Sequence, residues 1–233
     1  MENKFIYLPW KINNINLKTI KMKKSIVLVA IVASVFTACK SEKKETMALN
    51  EETKMEVNNY VENNVDILTS VLTWKGSKPT GSHNGTVALK SGNLEVVKGK
   101  IKSGVFVVDL NTIKNLDLAG TDGAANLEGH LKGEDFFDVA KYPTSTFTIT
   151  STKNNGAKID VTGKLQIKDV TKTITIPAVL STENGVTVFT SEVFKINRAD
   201  FNVKYGSKSF FDNLKDKFID DIIEMSFVVK TKA

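Results

Sequence analysis

The side chains able to do chemistry are few in these 233 residues. The histidines are His83 and His130, and the one cysteine is Cys39. A catalytic zinc ion usually takes three protein ligands, commonly including histidine or cysteine. Two histidines would need carboxylates from elsewhere, so no metal is expected. Glu134, Asp135 and Asp138 cluster around Phe136-Phe137. As general acid or base they would need burial or a charged partner to move their pKa, whereas a place at the start of a helical turn accounts for Glu134 and Asp135 through capping and the helix dipole. Arg198 is the only arginine among 32 basic residues. Its planar fork suits a structural pair with Asp200 or another acid, or else a contact to a ligand. His130 has the same two readings: a half-buried group bonded within its own segment, or a contact to a polar ligand head. There is no Gly-rich phosphate loop, nucleophile elbow, paired-His zinc motif or Cys-x-x-Cys. The expectation is a protein that is not an enzyme and carries no cofactor.

Apolar residues remain, and their spacing says which elements must position them. Ala124, Leu127 and Leu131 recur at three- and four-residue steps, which places them on one face of a short helix. Asp122 is a plausible N-cap and Gly133 a plausible stop. A second helical turn from Glu134 or Asp135 would present Phe136, Phe137 and Val139 and end at Tyr142-Pro143. Another short helical piece is expected around Ser209–Phe218. It carries a second aromatic pair, Phe210-Phe211, which either packs in the core or lines a mouth.

Everything else reads as strand and turn. Ala157–Ile167 alternates strictly, with apolar residues or glycine at odd positions, so one face is buried and the other wet. Ile174, Ile176, Ala178 and Leu180 repeat the pattern, as do Ile223, Met225, Phe227 and Val229. Val186 and Val188 are read on one face with Phe194 and Ile196, and Glu192 between them predicts a bulge or a cavity-facing carboxylate. Asn84-Gly85, Asn155-Gly156 and Asn184-Gly185, with Gly92-Asn93, are hairpin signals, because such turns need positive φ. That makes eight to nine strands at hairpin spacing without a βαβ rhythm, hence an antiparallel sheet. A barrel or a sandwich would satisfy the pattern.

The formal charge of +6 invites a nucleic-acid reading, which fails on its distribution. Residues 1–38 hold Lys4, Lys11, Lys18, Lys21, Lys23 and Lys24 against Glu2, a net of 6 − 1 = +5, which leaves 6 − 5 = +1 for residues 39–233. A nearly neutral remainder has no bulk attraction for phosphate backbones. Met22-Lys23-Lys24 followed by the apolar run Ile26–Ala38 has the form of a signal peptide and is too short to span a bilayer. Translation is expected to start at Met22, with residues 1–21 an upstream extension. Cys39 after Val-Phe-Thr-Ala resembles a lipoprotein box, with Phe36 where leucine is usual, so Cys39 is expected to be acylated and to anchor the chain to a membrane of a bacterial envelope. Residues 39–64 have the composition of a flexible tether, and residues 65–233 form the folded domain.

Leu127-Glu-Gly-His-Leu-Lys-Gly-Glu-Asp-Phe-Phe-Asp-Val-Ala-Lys-Tyr-Pro143, running into Thr144-Ser-Thr-Phe147, resembles the central signature of the YceI-like lipid/polyisoprenoid-binding family. Val161–Pro177 and Asn197-Arg-Ala-Asp-Phe201 resemble its second and third signatures. Near the first strands His83 is kept, but a second histidine common in the family is missing. The resemblance implies an all-β, eight-stranded antiparallel barrel in the lipocalin manner, with one or two short helices near one end. It also implies a long isoprenoid, quinone-like or other lipid held inside without chemical change. The candidate lining is Phe106, the pairs Phe147/Ile149, Leu165/Ile167, Ile174/Ile176 and Phe194/Ile196, and the cover residues Leu127, His130, Leu131, Phe136 and Phe137. Expected partners are such a lipid and, through Cys39, a membrane on the periplasmic or outer side; a homodimer is compatible with this. The alternative is a stress-related or structural surface module whose barrel is filled by its own side chains.

Overall fold

Strict alternation at residues 158–167 already demands a sheet with one dry face, and the computed structural model, which describes residues 64–232, shows what that face encloses. Nine strands follow in order: β1 (Val71–Lys78), β2 (Gly81–Val97), β3 (Lys100–Asn115), β4 (Thr144–Asn155), β5 (Lys158–Ile167), β6 (Val170–Glu183), β7 (Val186–Ser191), β8 (Phe194–Asn197) and β9 (Ile222–Lys230). The helix α1 (Asp122–Lys132) lies between β3 and β4. Each strand pairs antiparallel with the next up to β7, β7 pairs with β9, and β9 returns to β1, so the sheet closes and has no free edge. β7 and β8 lie end to end along β9, against Val228–Lys230 and Ile222–Met225 respectively. They form one interrupted stave, and the barrel has eight.

The interruption changes which residues face inward. In β7 the buried positions are Thr187, Phe189 and Ser191, whereas in β8 Ile196 is buried. The inward parity thus moves from odd to even at Glu192-Val193. Val186 and Val188 therefore do not share a face with Phe194 and Ile196. Glu192 is the bulge reading, not the cavity-facing one: its carboxylate is half exposed and pairs with Lys158 on the outside.

Two of the four Gly-containing turn signals are strand interior. Asn84-Gly85 and Gly92-Asn93 both lie within β2, and the hairpin turns are Pro79-Thr80, with Gly81 at φ +147°, and Lys98-Gly99, both residues at positive φ. Gly85 serves a close approach instead: a Cβ there would sit 2.6 Å from the Trp74 ring and 1.8 Å from the Lys114 carbonyl oxygen. Asn184-Gly185 turns as expected, and the β4–β5 turn falls on Gly156-Ala157.

The helix matches its predicted span, with Thr121 rather than Asp122 at the N-cap. The expected second helical turn, from Glu134 or Asp135 to Tyr142-Pro143, consists of non-helical turns; Asp138 at φ 51° breaks any helical run. The Ser209–Phe218 stretch holds only a 3-10 turn, Lys215–Lys217, and a second such turn covers Arg198–Phe201.

The two poles of the barrel differ. At one, Val65 is fully buried as a plug: its N–H donates to the Gly92 carbonyl, and the Asn64 side chain exchanges two 2.9 Å hydrogen bonds with the Leu94 backbone. Leu94, Ile101 and Phe106 belong to the same buried cluster as Val65. At the other pole α1, the 133–143 turns and residues 198–221 form a cover. There Val87, Leu110, Ile113 and Val139 make a smaller buried cluster, with Leu131 and Trp74 packed against it. Full burial of each large apolar side chain stabilises by roughly 1.5–3 kcal/mol.

Candidate functional site: an apolar cavity under the cover

Phe106 of β3 meets Phe189 of β7 across the barrel, rings 6.0 Å apart, but elsewhere the inward-facing side chains of the eight staves leave a gap. It is a cavity of ≈ 610 Å³, within the usual size of small-molecule sites. β3 supplies Phe106, β4 Phe147, β5 Leu165 and Ile167, β6 Ile174 and Ile176, and β8 Phe194 and Ile196. The cover supplies Leu127, His130 and Leu131 from α1, with Phe136 and Phe137 from the turns after it. Thirteen of the fourteen expected residues therefore line one space. Ile149 does not: it is buried against β3, its Cδ1 so near Gly104 that a Cβ there would lie 2.7 Å away.

The sequence reading missed other walls. Phe189 is 1% exposed and stacks at 6.0 Å on Phe106 and 4.8 Å from Phe227. Its signal was hidden by the parity change after Ser191. Met225 and Phe227, which alternate along β9, line the space as well. Trp74, Val108 and Leu110 also line the space. Phe147 lies flat on Gly163, where a Cβ would be 2.4 Å from the ring. Phe210 and Phe211, offered as core or mouth, are neither, at 41% and 49% exposure and outside the cavity wall.

Polar groups gather only at the covered pole. Ser77, Lys78, Thr80 and His83 from the β1–β2 hairpin face Asp216, Lys217 and Asp220 from the opposite segment. His83 Nδ1 is 2.8 Å from Asp117 Oδ2, and the Asn84 N–H donates to Asp117 Oδ1 at 2.8 Å. These bonds, the backbone one foremost, hold the Asp117 carboxyl down to about 2. Glu128 accepts from the Asn115 N–H and from Lys114, which lowers its pKa and ties α1 to the end of β3. His130 sits 3.3 Å from Asp135 and edge-on to Tyr205 at 4.4 Å. It is thus bonded within the cover and on the wall of the cavity at once.

Arg198 also touches the cavity but has little left to offer a ligand. It is 1% exposed, and Nε donates to the Asp220 carbonyl, Nη1 to Val203 and Nη2 to Ile219, at 2.7–3.1 Å. Its acid partner is Asp221, with Nη2 3.3 Å from Oδ1; Asp200 instead accepts from the Asn197 amide. Burial lowers the arginine's pKa, and the Asp221 and Asp220 charges oppose that. Its guanidinium lies 5.3 Å over Phe136. Among the described residues no three His, Cys, Asp or Glu side chains are grouped to hold a metal ion. What the arrangement can do is exclude water from an apolar molecule and meet a polar end at the rim.

A closed antiparallel barrel with an apolar interior under a helical cover defines a ligand-holding β-barrel. The YceI-like domain family matches residues 32–231, and the chain belongs to that family. Protein YceI of Escherichia coli O157:H7 is 39% identical over 85 residues, 34% of this chain and 44% of that protein, so the match spans less than half the length of the curated relative. Among solved structures, BcnA of Burkholderia cenocepacia superposes with a TM-score of 0.59 at 24% identity, covering 72% of this chain and 99% of the other. A polyisoprenoid binding domain from Saccharophagus degradans, implicated in plant cell wall breakdown, has a TM-score of 0.56 at 18% identity, covering 72% and 97%. At these identities the likeness is one of fold.

Proposed function

We propose that this protein binds a long-chain lipid of the isoprenoid or quinone class in its barrel without altering it, and carries or stores that lipid in a bacterial envelope. The carrying observation is the ≈ 610 Å³ cavity walled by phenylalanine, leucine and isoleucine. At roughly 30 Å³ per non-hydrogen atom it holds about 20 carbons. Transfer of that chain from water yields about 0.8 kcal/mol per carbon, or ~16 kcal/mol gross, against an association cost of about 4–15 kcal/mol. The balance favours binding for a chain of this length, and shorter chains bind more weakly. Family membership and the name of the Saccharophagus domain support the ligand class. Against the alternative of a barrel filled by its own side chains stands the space left between the Phe106–Phe189 pair and the cover. Anchoring through an acylated Cys39, export by the leader and a tether over 39–64 belong to the same proposal; those residues lie outside the described ones.

The test is gentle extraction from membranes followed by organic extraction and mass spectrometry. A prenyl or quinone species near one per protein is expected, and the intact mass of the same sample should show acylation at Cys39. A clean extract together with no uptake of added prenyl lipid would sink the binding proposal.

A further inference from the structure

The segment between Val203 and Ile219 is held in an unusual way. Arg198 donates to the carbonyls of both end residues, Val203 at 2.7 Å and Ile219 at 3.0 Å, so one buried guanidinium closes the loop at its base. Val203, Tyr205, Asp216, Lys217 and Ile219 look into the cavity. The middle of the loop turns outward, with Phe210 and Phe211 41% and 49% exposed. Two adjacent exposed phenylalanines on one loop are a patch rather than scattered apolar residues.

Their neighbours are lysines. Lys204 Nζ lies 5.0 Å over the Phe210 ring and Lys208 Nζ 3.3 Å over the Phe218 ring. Along residues 204–218, Lys204, Lys208, Lys215 and Lys217 stand against Asp212 and Asp216, a net of 4 − 2 = +2. Beside the loop, Lys141 and Lys168 flank Tyr142 at 5.1 and 5.9 Å, and Glu134, Asp135, Asp138 and Asp169 share one surface groove with Lys141, Lys168 and the loop's Lys204, Phe211 and Lys217. Aromatic rings with lysines alongside are what the bilayer interface selects: rings at headgroup depth, ammonium groups among anionic phosphates.

We propose that the 204–218 loop docks the covered pole of the barrel on an anionic lipid bilayer, with Phe210 and Phe211 inserted at headgroup depth and the lysines on anionic headgroups. The occupant is a membrane surface, argued from the charge of the loop and its continuity with the cavity rim. The inference rests on the lipid-binding reading and adds the surface from which the lipid enters. It also orients the molecule. Val65 plugs the opposite pole, so the docking loop lies at the end of the barrel away from that plug.

The test uses residues 64–233, which contain all eight staves and the closed-pole plug, and so carry neither the leader nor Cys39. Flotation is measured with vesicles of phosphatidylcholine alone and with about a third phosphatidylglycerol, at low and high salt. The wild-type barrel should float with anionic vesicles and be released by salt. The double substitution Phe210→Ser/Phe211→Ser, and separately Lys204→Gln/Lys208→Gln/Lys215→Gln, should each lower partitioning about tenfold or more. Leu68→Ser, 91% exposed near the closed pole, should leave it unchanged. Uptake of a fluorescent prenyl alcohol from dilute solution should be the same in every variant, which keeps failure of docking distinct from failure of lipid binding. A wild-type barrel that does not float, or a phenylalanine variant that floats equally well, overturns the proposal. So does a concentration-dependent dimer abolished by the same phenylalanine substitutions, which would assign the patch to a second copy.

Discussion

Filling the cavity from its wall separates a hollow barrel from a packed one. Ile176 is 3% exposed and faces the cavity from β6. Ile176→Trp adds about six non-hydrogen atoms, which at roughly 30 Å³ each take ~180 Å³ of the ≈ 610 Å³ available. Room falls from about 20 ligand atoms to about 14. Geranylgeraniol then leaves about six carbons outside, a loss of about 2 kcal/mol at ligand-efficiency values and about 5 kcal/mol at full transfer values. Its affinity should drop at least ~30-fold. Geraniol, with about eleven atoms, still fits, and its weaker binding should change less than about threefold. Because the new ring enters empty space, stability to urea should fall by less than about 1 kcal/mol, whereas overpacking a filled interior costs about 1–3 kcal/mol. Competition against a fluorescent prenyl probe measures the affinities, and urea unfolding the stability. Equal losses for the two alcohols, or unchanged geranylgeraniol binding with a destabilisation of several kcal/mol, would refute the reasoning.

Two further outcomes follow from the polar framework of the cover. Arg198→Leu should cost about 3–5 kcal/mol in urea unfolding, since it strands the Asp221 carboxylate and the carbonyls of Val203, Ile219 and Asp220; Arg198→Lys should recover only part, because an ammonium cannot reach the same fork of acceptors, and a loss under about 1 kcal/mol would remove the clamp from the account. Asp117, held at about 2 in the fold against an ordinary 3.8, binds its proton more readily when unfolded, so its stabilisation is complete above pH 3.8 and drains away as pH falls toward 2. In Asp117→Asn that part of the acid-induced loss, read by denaturant unfolding across this window, should be absent; an unchanged pH profile would contradict it.

Alternation along single strands was legible without any structure. In β5, β6 and β9 the inward residues are those that the period-two pattern marks, because a side chain's face depends only on its neighbours along the strand. The helix was legible for the same reason: Ala124, Leu127 and Leu131 fall on one face of any α-helix, and Gly133 stops it. Asn84-Gly85 and Gly92-Asn93 misled because Gly serves two purposes, positive φ and absence of a side chain, and only the position of Trp74 over Gly85 and of Val65 against Gly92 shows which is in use.

The chain by itself settled an antiparallel β domain with one helical interruption and the residue types of its walls. Closure of β9 on β1, the parity shift at Glu192-Val193 that turns Phe189 inward, and the cavity left under the cover were decided in three dimensions. Each depends on residues far apart in sequence meeting or failing to meet, and a local pattern carries no record of a gap. The same holds for Arg198: its scarcity could be read, but its role as the clasp between Val203 and Ile219 exists only once residues 219–221 come back to it.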